Sequence, residues 1–319
     1  MNKNINLIKA LIAIWSLIAL AGICLLVYGF YHEDSFSFLK FRNKMMNARY
    51  VVQKSQSVSV DDCSKLSLEF STGDIIVNTT DKTSLKVVQS ASRKLKDEEK
   101  FEIEKQGNNI EIRRKDENKF FHNKFINVLR GFNSNEKIEL YVPKAYAENL
   151  DIKTTSGDIE FNSDMKLNAI SCTQSSGDIK MDGRIVADSI GIKTTSGDID
   201  IESLNSKYYN IQVTSGDIFI KSVSGSGNIK AISGDIKINY KSIGEYVKAN
   251  ATSGDVKMKV DKNLNFKFKG RCTSGDINGD FPLTYENDRK SKASGQVGKA
   301  PYKTIDVSTM SGDIDILRN

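Results

Sequence analysis

The chain has 319 residues, with 46 Lys or Arg and 40 Asp or Glu, so its formal net charge is +6. This mildly basic charge is typical of strands with solvated Lys, Asp and Glu side chains, and an anion-binding face is the alternative interpretation. Nucleic acid is not predicted as a partner. The four cysteines match no metal motif and form no disulfide framework, and two histidines leave little for histidine catalysis. No cofactor and no metal are expected.

Residues 1–33 are predicted to form an N-terminal membrane anchor. Residues 7–31 are almost wholly apolar and carry no charge from Ala10 onward, which is long enough for one transmembrane α-helix. A cleavable signal peptide has a shorter apolar core, so an uncleaved anchor in the cytoplasmic membrane is favoured. This predicts a single-pass protein of the cell membrane with its C-terminal domain extracellular, although Lys and Arg on both flanks leave the orientation open. Residues 34–57 are the expected juxtamembrane linker.

Residues 58–143 are predicted to be the N-terminal β part of a repeat domain. An early Gly73 corner and short alternating segments near 85–88, 101–104 and 110–112 indicate strands. Residues 113–135 show no clear period and are predicted to be a charged loop. Near the other end of the chain, Ser294–Val297 could be a degenerate corner, but the Lys, Ser and Gly around it favour a loop before the last repeat.

From residue 144 to 319 the tetrapeptide Ser-Gly-Asp-Ile recurs with a period near 20. Its glycines from Gly157 to Gly275 are separated by 20, 20, 19, 18, 20 and 21 residues, which is typical of a repeat architecture. Glycine accepts a positive φ and Asp can accept hydrogen bonds from its local backbone, so both residues suit a structural turn. The predicted turn residues are Gly157, Asp158, Gly177, Asp178, Gly197, Asp198, Gly216, Asp217, Gly234, Asp235, Gly254, Asp255, Gly275, Asp276, Gly312 and Asp313.

Apolar and polar residues alternate on both sides of each turn. Two residues after the glycine stand Ile159, Ile179 and Ile199, and five before it stand Ile152, Cys172 and Ile192. This alternation predicts strands with one buried face, and stacking them continues each apolar column into the next turn. The predicted fold is all-β, a β-solenoid of about 20-residue repeats. A sandwich or barrel of hairpins is the alternative.

Three stretches carry a resemblance to a known family: Ile138–Pro143, Leu150–Ile159 and Ile305–Ile314. They resemble the bacterial "putative adhesin" family, domain-of-unknown-function family 4097 (DUF4097), over residues 58–319. The resemblance implies a β-helical domain, often anchored to the cytoplasmic membrane, facing outward, and in some members found beside envelope-stress systems. The family has no established active site, so the resemblance assigns no catalytic residue.

Two sets of residues are candidates for chemistry. The Asp residues of the turns would stack along one edge and could bind Ca²⁺, but the calcium-binding nine-residue glycine-rich repeat is absent, and bracing of each Asp's own corner is favoured. The stretch 221–271 is the most basic part of the repeats. Within it, a possible anion-binding face comprises Lys221, Lys237, Lys257 and Lys259.

Two functions remain open from the sequence. The favoured one is a non-catalytic binding, adhesion or envelope-stress scaffold, whose partner is an anionic envelope polymer or a membrane protein. The other is a polysaccharide-active enzyme, because some β-helices cleave polysaccharides with acidic and basic residues on one face. No nucleophile elbow, zinc-protease helix, P-loop or dinucleotide fingerprint occurs in the sequence.

Overall fold

The computed structural model describes residues 50–115 and 136–318, and from Tyr50 onward the chain forms one compact unit. Within the described residues the only helix is a 3₁₀ turn at Asp97–Glu99, which confirms the all-β prediction. The strands are β1 (Val51–Ser59), β2 (Lys65–Thr72), β3 (Asp74–Thr80), β4 (Ser84–Ala91), β5 (Phe101–Gln106), β6 (Asn109–Arg114), β7 (Glu136–Pro143), β8 (Asn149–Ser156), β9 (Ile159–Phe161), β10 (Met165–Ser176), β11 (Ile179–Ser196), β12 (Ile199–Ser215), β13 (Ile218–Ser233), β14 (Ile236–Ser253), β15 (Val256–Val260), β16 (Phe266–Ser274), β17 (Ile277–Gly279), β18 (Leu283–Tyr285), β19 (Lys292–Val297), β20 (Lys303–Ser311) and β21 (Ile314–Arg318).

The repeating unit is a rung, which consists of a strand segment, a Gly-Asp corner and a second strand segment. Neighbouring rungs pair in parallel and in register, so that Ile152 lies beside Cys172 before the corner and Ile159 lies beside Ile179 after it. A further parallel ladder links the segments that return to the next rung. These parallel pairings are consistent with the predicted β-solenoid and not with a sandwich or barrel built of hairpins.

The apolar columns predicted from the sequence form the core. The residues two positions after the corner glycines are each no more than 1% exposed: Ile75, Ile159, Ile179, Ile199, Ile218, Ile236, Val256, Ile277 and Ile314. Each such side chain stabilises the fold by roughly 1.5–3 kcal/mol relative to exposure in water. The alternate side chains point outward and form two surfaces, called here the pre-corner face and the post-corner face after the strand segments that carry them.

The spatial order of the rungs differs from their order in the sequence. β20 pairs with both β14 and β16, and β21 pairs with both β15 and β17, so the last rung of the chain is inserted before the rung that precedes it. At the other end, β2 and β3 lie between β6–β7 and β8–β9. The corner glycines therefore stack in the order Gly73, Gly157, Gly177, Gly197, Gly216, Gly234, Gly254, Gly312 and Gly275.

Antiparallel strands cover both ends of the stack. At the N-terminal end β5 pairs with β6, β4 pairs with β7, and β1 pairs with β4. At the C-terminal end β19 pairs with β16, and β18 pairs with β19. Ser294–Val297 is thus part of strand β19 and not the predicted loop, because the last exposed pre-corner strand supplies it with a ladder partner.

The membrane localisation drawn from the sequence requires correction. Across residues 50–115 and 136–318, no helix is long and apolar enough to cross a bilayer. The described residues do not include the predicted anchor, residues 1–33 with its span at 7–31. Most of the predicted linker also lies outside them. We therefore do not retain the single-pass, extracellular assignment.

Candidate functional site: the corner column and the two outward faces

The corners stack with close backbone contact. From Gly157 onward the corner glycines have φ between +120° and +141°, a region that L side chains rarely adopt. Hydrogen bonds cross each interface on both sides of the corner Asp: the Gly177 N–H donates to the Ser196 carbonyl at 3.0 Å, and the Ile179 N–H to the Asp198 carbonyl at 2.9 Å. A Cβ on Gly197 would overlap the carbonyl oxygen of Gly177. Glycine is therefore required both by φ and by the contact.

The corner Asp residues form a ladder between rungs. The Asp198 N–H donates to Oδ1 of Asp178 at 2.8 Å, and Oδ1 of Asp198 accepts from the Asp217 N–H at 2.8 Å. The same bond occurs at eight successive interfaces, from Asp74–Asp158 to Asp313–Asp276, with distances of 2.7–3.1 Å. Each carboxylate thus satisfies a backbone donor of the next rung.

This bond corrects the role expected of the Asp residues. The sequence suggested that each Asp braces its own corner, whereas its carboxylate oxygen serves the neighbouring corner. The reason is that the Gly and Ile N–H groups donate to ladder carbonyls, and the Asp N–H between them needs another acceptor. A carboxylate on the preceding rung is the acceptor within reach.

The stacked carboxylates do not assemble into a metal site. Among the described residues, no group of three or more His, Cys, Asp or Glu side chains could hold a metal ion.

The Asp at the N-terminal end of the column, Asp74, is partly buried. Burial raises the pKa of Asp74, and the hydrogen bond from the Asp158 N–H offsets part of this shift.

The four lysines of the predicted anion-binding face all lie on the post-corner face, but two of them have acidic partners. Lys221 forms an ion pair with Glu202 at 2.6 Å, and Lys237 forms one with Asp235 at 3.4 Å. Lys257 lies beside Lys237 in the ladder, and Lys259 lies beside Asn239. The predicted face is therefore one pair of adjacent lysines with a third nearby, not a continuous ladder.

The insertion of the last rung also divides the basic stretch 221–271. β21 places Asp315 beside Lys257, and β20 places Asp306 between Lys248 and Lys269. The charge of this region is consequently more mixed in space than in sequence. Sequence reasoning missed this because it assumed that neighbouring repeats are neighbouring rungs.

Sequence reasoning also missed a buried polar cluster at the N-terminal end. Glu136 accepts hydrogen bonds from Arg114 and, at 2.6 Å, from Gln89, while Arg114 also donates to the Thr72 carbonyl at 3.1 Å. The side chains of Arg114 and Glu136 are only 9% and 2% exposed. The cluster joins the end of β6 to the start of β7, and no local sequence pattern predicts it.

A surface cavity of about 210 Å³ lies among β7, β10 and β11 and departs from the repeat. Lys144, Lys166 and Arg184 line it with one carboxylate, Asp164. Asp164 Oδ1 accepts a hydrogen bond from the Arg184 N–H at 2.8 Å, and its Oδ2 lies 3.6 Å from the Arg184 guanidinium. The cavity therefore presents basic groups around a carboxylate that is already engaged.

The chain is distantly similar to several solved bacterial structures. A putative adhesin from Bacteroides fragilis is 12% identical, with a TM-score of 0.43 over 85% of this chain and 97% of that chain. A putative adhesin from Parabacteroides merdae is 11% identical, with a TM-score of 0.42 and the same coverage. A putative lipid binding protein from Parabacteroides distasonis is 16% identical, with a TM-score of 0.40 over 85% and 97%. Similarity this distant says nothing about a ligand of this chain.

The sequence itself identifies the family. No curated protein matches the chain. The family model described as Toastrack DUF4097 matches residues 63–317, which include all nine Gly-Asp corners. This agrees with the resemblance carried by the repeats, and the chain therefore belongs to the Toastrack DUF4097 family.

Proposed function

We propose that the protein is a non-catalytic binding scaffold that presents its outward faces to an extended macromolecular partner. The observation that carries this proposal is the in-register stacking of the rungs, which places equivalent outward side chains in straight rows. Rows at the ladder spacing of about 4.8 Å suit a linear partner that makes many weak contacts along its length. Adhesion and a role as an assembly scaffold are both forms of this activity.

Catalysis would require a different arrangement of functional side chains. It needs a small set of unlike groups held around one reacting bond, and such a set breaks the repeat. The outward rows instead spread their polar and charged side chains along straight lines, and the corner carboxylates are engaged as backbone acceptors. The polysaccharide-active enzyme stays the second candidate because the 210 Å³ cavity gathers Lys144, Lys166, Arg184 and Asp164 outside the repeat.

A panel of anionic and neutral polysaccharides distinguishes the two candidates. The purified protein is mixed with each polymer, binding is measured by co-sedimentation, and polymer length is measured after prolonged incubation. We expect binding to at least one polymer with no change in its length. Shortening that is lost in Asp164→Asn would establish the enzyme instead, and no binding to any polymer would contradict the scaffold proposal.

A further inference from the structure

The middle of the pre-corner face is free of acidic residues. Its five strand segments, called here the pre-corner patch, are residues 169–175, 189–195, 208–214, 226–232 and 246–252. They contain no Asp or Glu, although the chain has 40 acidic residues. On the post-corner face of the same rungs, acidic and basic residues form ion pairs, as in Lys221–Glu202 and Lys180–Asp182. The two faces of one stack therefore differ in electrostatic character.

Among the described residues, three lysines of the pre-corner patch form no ion pair, and the acidic ladder neighbour of Lys248, Asp306, is paired with Arg271 at 3.9 Å. Lys193, Lys230 and Lys248 are exposed, and none of them forms an ion pair within the part of the chain that the structure describes. Gln212 separates Lys193 from Lys230 in one row, so these two cations lie two rungs, about 10 Å, apart. Lys248 stands in the neighbouring row, one rung beyond Asn228. Unpaired cations at this spacing complement negative charges that recur along a polymer.

The surface between these lysines carries amide and hydroxyl groups. Asn210 and Gln212 are linked by a hydrogen bond of 3.1 Å, which orients both amides at the surface. Gly191 leaves open space above the sheet, since a Cβ there would meet no atom within 4 Å. Amides and hydroxyls that lie in flat rows can donate to and accept from the hydroxyl groups of a sugar chain.

The pre-corner patch contains one highly exposed aromatic ring. Tyr208 is 56% exposed, and its ladder neighbours are the small residues Ser189 and Ser226. An exposed ring with an apolar face and a polar tip suits the C–H face of a sugar ring. A protein partner would instead favour an apolar interface core depleted of lysine, which this patch does not offer.

We propose that the pre-corner patch is the binding surface for an anionic polysaccharide, with Lys193, Lys230 and Lys248 contacting its acidic groups and Tyr208 stacking on a sugar ring. This inference rests on the proposed scaffold function and names the partner class and the face. It differs from the Lys237–Lys257 face predicted from the sequence, where Asp235 forms an ion pair with Lys237.

The decisive experiment compares two triple variants that lose the same charge. The patch variant carries Lys193→Gln, Lys230→Gln and Lys248→Gln, and the control variant carries Lys237→Gln, Lys257→Gln and Lys259→Gln. Binding of the full chain to polygalacturonate is measured by titration at low and at physiological salt. We expect the patch variant to bind about tenfold more weakly and with less salt dependence, and the control variant to bind as the wild type does.

Three outcomes would overturn the inference. Equal weakening of both variants would mean that only net charge matters, and greater weakening of the control would place the site on the post-corner face. Binding to neutral polysaccharides of the panel, with no binding to polygalacturonate or any other anionic one, would refute the anionic-polysaccharide partner while leaving the scaffold function intact.

Two further probes separate charge from sugar recognition. Methyl-esterified polygalacturonate keeps the sugar rings and loses the charges, and inorganic polyphosphate has charges without sugars, so both should bind more weakly than polygalacturonate. Tyr208→Ala should weaken binding about tenfold without changing the salt dependence, while Tyr208→Phe should bind normally. Equal binding of either probe, or no effect of Tyr208→Ala, would contradict the proposal. Unchanged thermal unfolding of each variant confirms that the fold is retained.

Discussion

The centre and the ends of the rung stack are built by different means. In the centre, identical corners and in-register parallel strands continue from rung to rung, and each Asp carboxylate serves the next rung. At the ends, antiparallel strands cover the outermost rungs, and a buried ion pair joins the end of β6 to the start of β7. The comparison teaches that a repeat which can propagate also needs a separate device that stops it, because an open strand edge would pair with another chain.

The largest effect is expected at a central corner. Gly197→Val should lower the free energy of unfolding by about 3 kcal/mol or more, since φ is +123° there and the new Cβ would overlap the Gly177 carbonyl. The matched control is Gly191→Val in β11, the strand that precedes this corner, where nothing lies within 4 Å and a change of less than about 0.5 kcal/mol is expected. Denaturant unfolding measures both, and equal stabilities would refute the close packing of the corners.

An effect nearly as large is expected at the N-terminal end. Arg114→Leu leaves the Glu136 carboxylate buried without its cation and should cost about 3 kcal/mol. Arg113→Leu is the control, because the neighbouring arginine is 26% exposed and pairs with the accessible Glu104, so the loss should stay below about 1 kcal/mol. Equal losses in the free energy of unfolding of the two variants would show that the buried ion pair does not stabilise this end of the stack.

A smaller effect is expected in the carboxylate ladder. Asp198→Ala removes the acceptor of the Asp217 N–H and should cost about 1 kcal/mol. Asp198→Asn keeps an oxygen at the same place and should be close to wild type. The measurement is again the free energy of unfolding, and a variant with Ala as stable as that with Asn would show that the bond contributes nothing.

The smallest effect separates end from centre by its pH dependence. Burial raises the pKa of Asp74 in the folded protein. Once the pH rises above the pKa that Asp74 has in the unfolded chain, its ionisation therefore favours unfolding. Asp74→Asn should therefore raise the melting temperature slightly at pH 7, and the gain should vanish near pH 3, where the wild-type carboxyl is protonated. Asp198→Asn serves as the central comparison, and a stabilisation of Asp74→Asn that persists at pH 3 would contradict this assignment.

Much of the rung could be predicted from the sequence because its causes are local. The period near 20, the inward position of Ile159 and its equivalents, and the glycine at each corner follow from side-chain alternation and backbone sterics. The family followed from the same repeats. The pre-corner patch could also have been found, since the absence of acidic residues in its five segments is visible in the sequence once the outward positions are aligned.

The order of the rungs, in contrast, was decided only by the tertiary structure. All rungs share the same inward columns, so β20 is as suitable a neighbour for β14 as β16 is, and no local pattern distinguishes them. The inserted rung then determines which charges meet, and it places Asp315 beside Lys257. The length of a strand and the corner that ends it are properties of the local chain, whereas the neighbour across a ladder depends on segments far away in the sequence.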